Sequence, residues 1–284
     1  SATIQSSPPV RRRPPIQTRS DYRGPYYALP ALFWTSYWCE DWLFSSNYRG
    51  GASVFLITSA SSKTAFCLAY LIKKRVVQGE VKQNVRVVGL TSKGNLGFTQ
   101  RLGLYDVVLE YGSFTSDDAF RYRSRDERWI YVDVASNDAL NERIRAYFAS
   151  PYAPRLATCI SLGLTNVSPS SSSSSLSWST NSFSASPTDA HTNQFWPCFE
   201  NFFMVEWLNV RKHQLPVEEI FERQNKAWKE LMEDCQGWVK VERVYGGQDV
   251  TMAYELVAER GVGPEKGLVW SLWDREEKDM KARL

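Results

Sequence analysis

Apolar residues fall into short runs of two alternating kinds along the chain. The runs VFLI, VRVVGL, WIYVDV and LATCISL are rich in β-branched residues and apolar on both faces. This is the pattern of strands covered from two sides. FCLAYLIKKR and the stretch after Asn137 instead repeat their apolar positions at helical spacing. The pattern predicts strands at 53–58, 85–90, 106–109, 129–134 and 156–162, with helices at 63–75, 95–102 and 137–148 between them. Asn137 serves as the cap of the last helix. Strands and helices alternating in this way predict an α/β fold, a Rossmann-like doubly wound parallel sheet with flanking helices.

Outside this core the pattern changes. LPALFWTSYWCEDWLF (29–44) is apolar around most of a helical circumference, with Pro30 in the first turn, and reads as a buried helix. Residues 47–51 read as a turn and 116–128 as a polar, charged connection. Residues 195–210 are dense in aromatics. PVEEIFERQNKAWKEL (216–231) is an amphipathic helix with Glu218 and Glu219 placed to suit the helix dipole. WVKVERV (238–244) alternates like a half-exposed strand. Residues 249–261 form a helix ending at a glycine, and 268–273 a strand that closes the sheet. Trp34, Trp38, Trp42, Trp207 and Trp228 sit at helical spacings and read as core or interface residues. Residues 1–28, rich in Ser, Pro and Arg, are expected to be a disordered tail. Residues 29–284 form the Rossmann-like domain, with a flexible serine-rich insertion at about 168–193.

Composition narrows the classes. Among 284 residues 43% are hydrophobic, enough for a globular core. No apolar run approaches the roughly 20 residues of a membrane span, and no signal peptide is seen. The net charge of +3 gives no argument for a nucleic-acid partner. Arg11, Arg12 and Arg13 read as a solvated part of the tail. Five cysteines without a CxxC pair and two histidines make a zinc site improbable. Cys67 and Cys159 read as buried thiols, which fits a cytoplasmic setting.

The candidate chemistry lies in TSASSKTA (58–65), a turn between the first strand and its helix. A pyrophosphate there needs close backbone approach, inward N–H groups and tight helix packing. The turn holds no glycine. Ser59, Ser61, Ser62 and Thr64 offer hydroxyls, Ala65 is small, and Lys63 adds a positive charge. An ordinary strand-to-helix connection capped by small polar residues accounts for the same letters. A phosphate loop of the NTPase type would need glycines where Ile57 and Ser62 stand. The second strand ends in VVGLTSKGN, where a dinucleotide fold reads the adenosine ribose. Ser92, Lys93 and Asn95 offer a hydroxyl, an ammonium and an amide with no carboxylate, so a bound dinucleotide would be NADP. A polar solvent loop is the alternative there too.

LFWTSYWCEDWL, VFLITSASSKTAFCLAYLIKKR, VVGLTSKGNLGFTQRLGLYDVVLEY and IYVDVASNDALNERI together resemble the domain of unknown function 2855 family. That family is similar to the zinc-independent medium-chain dehydrogenase/reductases of the quinone and enoyl reductase type. The resemblance implies that Ser59, Ser62 and Ala65 occupy glycine positions of the reductase turn. Ser92 and Lys93 fall where the 2′-phosphate binds, Ala135 near the nicotinamide ribose, and Gly163 at the end of strand five. Thr35 falls in a helix that approaches the nicotinamide, and Tyr37 beside it is either a general acid or a core tyrosine. His191 and His213 read as bystanders. The GroES-like domain of such reductases is expected to be largely absent from this chain. The implied activity is NADP-dependent hydride transfer to an activated double bond, quinone or ketone, with a small-molecule substrate. The alternatives are a non-catalytic Rossmann-like protein that binds NADP or no nucleotide, and a scaffold forming a homo-oligomer through its aromatic surface.

Overall fold

The computed structural model describes residues 29–121, 126–162 and 199–273. The expected tail and serine-rich insertion, with Gly163, His191 and Cys198, lie outside the described residues. Helix α1 (Pro30–Ser45) leads into β1 (Val54–Ile57), α2 (Lys63–Val77), β2 (Arg86–Thr91), α3 (Leu96–Arg101), β3 (Val107–Glu110), α4 (Asp118–Arg121), β4 (Arg128–Asp133), α5 (Asp138–Phe148) and β5 (Arg155–Ser161). After residues 163–198 come β6 (Phe199–Asn201), α6 (Met204–Gln214), α7 (Val217–Asp234), β7 (Lys240–Tyr245), α8 (Gly247–Arg260) and β8 (Lys266–Ser271).

Six strands form one parallel sheet in the order β3-β2-β1-β4-β5-β6. This is the doubly wound Rossmann-like order, and its strand order reverses between β1 and β4. The expected alternation of strand and helix is therefore present, and the apolar strand runs explain it. Phe55, Ile57, Val87, Ile130, Val132 and Ile160 face one core with α1 and α2. Val54, Leu56, Val88, Leu90, Trp129, Tyr131 and Cys159 face the other with α5. Asn137 caps α5 by accepting from the Leu140 amide at 3.0 Å.

Two features differ from expectation. The aromatic-dense stretch contains a sixth strand, β6, which pairs in parallel with β5. The closing strand does not extend the large sheet. It pairs in parallel with β7, and α8 crosses between them, making a separate two-stranded unit.

Buried ion pairs fix α1 to its surroundings. Glu40, 2% exposed, accepts from Arg75 Nε at 2.6 and 2.7 Å and from the Tyr48 hydroxyl at 2.7 Å. Arg211 of α6 grips Asp41 with a fork at 2.6 and 2.7 Å, and the Trp207 indole donates to the same carboxylate at 2.8 Å. The turn at 47–51 is left-handed throughout, with φ from 48° to 92°. Within it Arg49 reaches Glu200 of β6 with two bonds of 2.9 Å.

Candidate functional site

The turn 58–62 stands at the carboxyl end of β1, beside the topological switch point, where ligands of open α/β sheets bind. Its conformation is set by hydrogen bonds to all sides. The Thr58 amide takes the Val132 carbonyl (3.1 Å), that of Ala60 takes Leu90 (2.9 Å), and that of Ser62 takes Ser59 (2.7 Å). Ser62 caps α2, its hydroxyl accepting from the Ala65 amide at 3.3 Å. Ser61 is buried and accepts from Asn95 Nδ2 at 3.1 Å. Thus the first two connections, expected to share a ligand, are joined by a direct contact. Thr64 lies in the first turn of α2, and its carbonyl accepts from the Ser36 hydroxyl of α1 at 2.8 Å.

The two groups expected to be most useful to a phosphate have partners within the chain. Lys63 Nζ donates to the Lys266 carbonyl at 2.7 Å and to that of Pro264 at 3.5 Å. Burial holds its pKa below the ordinary lysine value. The Ser59 amide donates to the Tyr111 hydroxyl at 3.0 Å. Ser59 has φ of 51°, the left-handed region that glycine would enter without strain.

The β2–α3 loop is open. Ser92, Lys93 and Gly94 are exposed, and a single 3₁₀ turn spans Lys93–Asn95. Lys93 makes no ion pair among the described residues.

The end of β4 is a closed polar network. Asp133 is buried and accepts from the Asn141 amide (2.9 Å), the Ser136 and Ala135 amides (2.9 and 3.1 Å) and the Thr58 hydroxyl (3.2 Å). Asn141 accepts in turn from the Tyr131 hydroxyl. Burial raises the Asp133 pKa, and its hydrogen bonds act against that rise. This network aligns the ends of β1 and β4 and places Ala135 beside the switch point.

The family model described as "Protein of unknown function (DUF2855)" matches residues 9–263. The chain belongs to the DUF2855 family. No curated protein matches it. Among solved structures the DUF2855 chain is similar to the CurK enoyl reductase, at 13% identity over 86% of this chain and 60% of that one, TM-score 0.48. It is also similar to the quinone oxidoreductase from Coxiella burnetii, at 15% identity over 85% and 58%, TM-score 0.45. A third is the yhdH oxidoreductase from Salmonella enterica in complex with NADP, at 13% identity over 84% and 60%, TM-score 0.43. The DUF2855 chain therefore spans less than two thirds of each of these structures.

In the DUF2855 chain Thr35 bonds back to its own helix, at the Ala31 carbonyl (3.1 Å). Tyr37 is packed against Phe33, Trp34 and Trp38, and burial pushes its pKa up to about 12. His213 is exposed in the last turn of α6. Three further residues shape the turn. Tyr105 donates its hydroxyl to the Ala60 carbonyl at 2.8 Å. Tyr111 accepts from Ser59. Gly89 of β2 has no room for a side chain, since a Cβ there would lie 2.8 Å from both Ala60 Cβ and the Tyr105 ring. The quoted run LGLYDVVLEY contains both tyrosines, but only the fold shows that they reach back to the turn.

Proposed function

We propose that the chain is an NADP-dependent oxidoreductase of the medium-chain reductase type, acting on an activated double bond, quinone or ketone. The observation that carries this reading is the exposed Lys93 ammonium beside Ser92, without an ion pair among the described residues. Both sit one strand away from the β1–α2 turn, in a sheet of Rossmann-like order. An ammonium and a hydroxyl with no carboxylate beside them suit a 2′-phosphate. The first amides of α2, those of Lys63 and Thr64, have no intrahelical acceptor and are oriented for an anion. When bound, the nicotinamide supplies the hydride. The chain's own part is to bind and orient: Ser92 and Lys93 at the adenosine end, the α2 start at the diphosphate, and Ala135 at the nicotinamide ribose.

NADPH and NADH fluorescence titrations test this. Lys93→Ala is expected to weaken NADPH binding by about tenfold, the worth of one charge-assisted contact, and to leave NADH unchanged. Equal loss for both nucleotides, or no saturable binding by the unsubstituted chain, refutes the assignment. Oxidation of NADPH by a panel of quinones and enones tests the reaction itself.

A second reading is a non-catalytic Rossmann-like protein. It is favoured by the internal partners of Ser59 and Lys63. NADPH binding with no acceptor reduced across the panel would support it, and a solution mass measurement would test a scaffold that self-associates.

A further inference from the structure

Tyr111 is the first residue past β3, and its amide donates to the Thr91 carbonyl at 3.0 Å. It is therefore held at the carboxyl end of β2, and its side chain reaches across that strand end to the turn after β1. There its hydroxyl accepts from the Ser59 amide. The neighbouring turn amides of Thr58, Ala60 and Ser62 are satisfied by backbone carbonyls of Val132, Leu90 and Ser59. Ser59 alone among these four gives its N–H to a side chain, and a side chain can leave where a sheet carbonyl cannot. One amide hydrogen serves one good acceptor. The phenol oxygen thus stands where an anion's oxygen would have to stand to use that amide. At the same strand end Thr91, whose carbonyl takes the Tyr111 amide, is 1% exposed, and its hydroxyl has no partner among the described residues. The closed arrangement leaves a polar group at this strand end unsatisfied.

From this geometry we infer that Tyr111 is a displaceable internal occupant of the phosphate turn, competing with a dinucleotide's diphosphate for the Ser59 amide. This rests on the dinucleotide reading above and adds a regulation to the same site. The tyrosine keeps the strained Ser59 amide bonded when no ligand is present. It lowers the affinity for the ligand by the worth of that bond.

The test is NADPH titration of the unsubstituted chain and of Tyr111→Phe, which keeps the ring. The variant is expected to bind about fivefold more tightly, since a neutral hydrogen bond no longer has to be broken. Hydrogen exchange of the peptide 58–65 is expected to be faster in the ligand-free variant and equal in the two NADPH complexes. Equal or weaker NADPH binding by Tyr111→Phe overturns the inference, and so does an absence of binding by both proteins. Should the variant not fold, NMR of ring-labelled tyrosine in the unsubstituted chain decides. NADPH must shift the Tyr111 resonance, and an unmoved resonance in a saturated complex overturns the inference. The two readings fail separately. Tighter binding by Tyr111→Phe without reduction of any acceptor refutes the reductase and leaves the role of Tyr111 intact. Turnover by the unsubstituted chain with unimproved binding by the variant refutes only the role of Tyr111.

Discussion

Lys63 offers the most informative single substitution, because its two expected roles predict opposite readouts. Its ammonium reaches the Lys266 carbonyl at 2.7 Å, a short charge-assisted bond, while the Pro264 carbonyl at 3.5 Å adds little. A hydrogen bond to a charged group contributes about 1.5–3 kcal/mol. This bond joins the first turn of α2 to β8, whose only strand neighbour among the described residues is β7. A two-stranded unit is marginal by itself. At its end Trp270, Leu272 and Trp273 are 37%, 68% and 79% exposed, and the buried apolar contacts of the unit lie mainly on β7, through Val241 and Val244. Lys63→Met keeps the stem and removes the tie. The loss is expected to be local: amides of β7 and β8 exchange about 10–100 times faster, at a tenfold change per 1.4 kcal/mol, while β1 and β4 keep their protection. Hydrogen exchange with peptide resolution reads this directly, and unchanged protection across residues 238–273 refutes the structural role. NADPH affinity measured on the same variant addresses the other role. A loss of tenfold or more with β8 still protected would make Lys63 a phosphate ligand instead of a clamp.

Three further substitutions follow from the packing. Burial raises the Glu40 carboxyl from 4.5 to about 6, against the opposing effects of Arg75 and the Tyr48 hydroxyl. Its folded pKa lies above its unfolded one, so its contribution is fully present below pH 4.5 and is lost as pH rises through about 6. The stability of the unsubstituted chain relative to Glu40→Gln is thus expected to fall by about 2 kcal/mol between pH 4 and pH 7 in urea titrations, and a flat difference would refute it. Arg211→Ala leaves Asp41, 6% exposed, with the Trp207 indole alone in place of the fork. A loss of about 3 kcal/mol on chemical denaturation is expected, and under 1 kcal/mol would show that water replaces the fork. Gly89→Ala places a methyl 2.8 Å from Ala60 Cβ and from the Tyr105 ring, and is expected to cost about 1–3 kcal/mol in thermal unfolding unless the turn moves away.

The strands and helices of the large sheet were legible because each carries its own signal. A doubly buried strand is a short β-branched run, and a helix repeats at 3.6. What could not be read depends on distant partners. Phe199–Asn201 is three residues long and contains an acid, so no pattern marks it as a strand. It is held by Arg49 and by the Thr158 hydroxyl, which donates to Glu200 at 2.7 Å. The alternation at 238–244 and the closing apolar run were visible as strands, but the same pattern fits pairing with the large sheet or with each other. At the site, the position of the turn and the openness of Ser92 and Lys93 follow from local order. The partner of Lys63 lies 203 residues away and that of Ser59 lies 52 away, beyond the reach of any motif.

The glycine-free turn becomes intelligible once the demand for glycine is traced through the structure. A sharp bend after β1 needs a left-handed residue, close approach to the neighbouring strand and satisfied amides. Ser59 adopts the left-handed conformation itself, at an expected cost of about 1–2 kcal/mol. The close approach is supplied from the other side, by Gly89 on β2. Tyr105 and Tyr111 hold the Ala60 carbonyl and the Ser59 amide. Ser59→Gly separates these contributions. It removes the left-handed strain while adding freedom to the unfolded chain, so the net change in stability is expected to stay within about 1 kcal/mol. The same substitution leaves the Tyr111 bond in place, because the bond uses the backbone amide. Its effect on NADPH affinity should therefore be small beside that of Tyr111→Phe. A large gain from Ser59→Gly alone would place the barrier to the ligand in the Ser59 side chain, and the account of the turn as occupied by its own tyrosine would have to be abandoned.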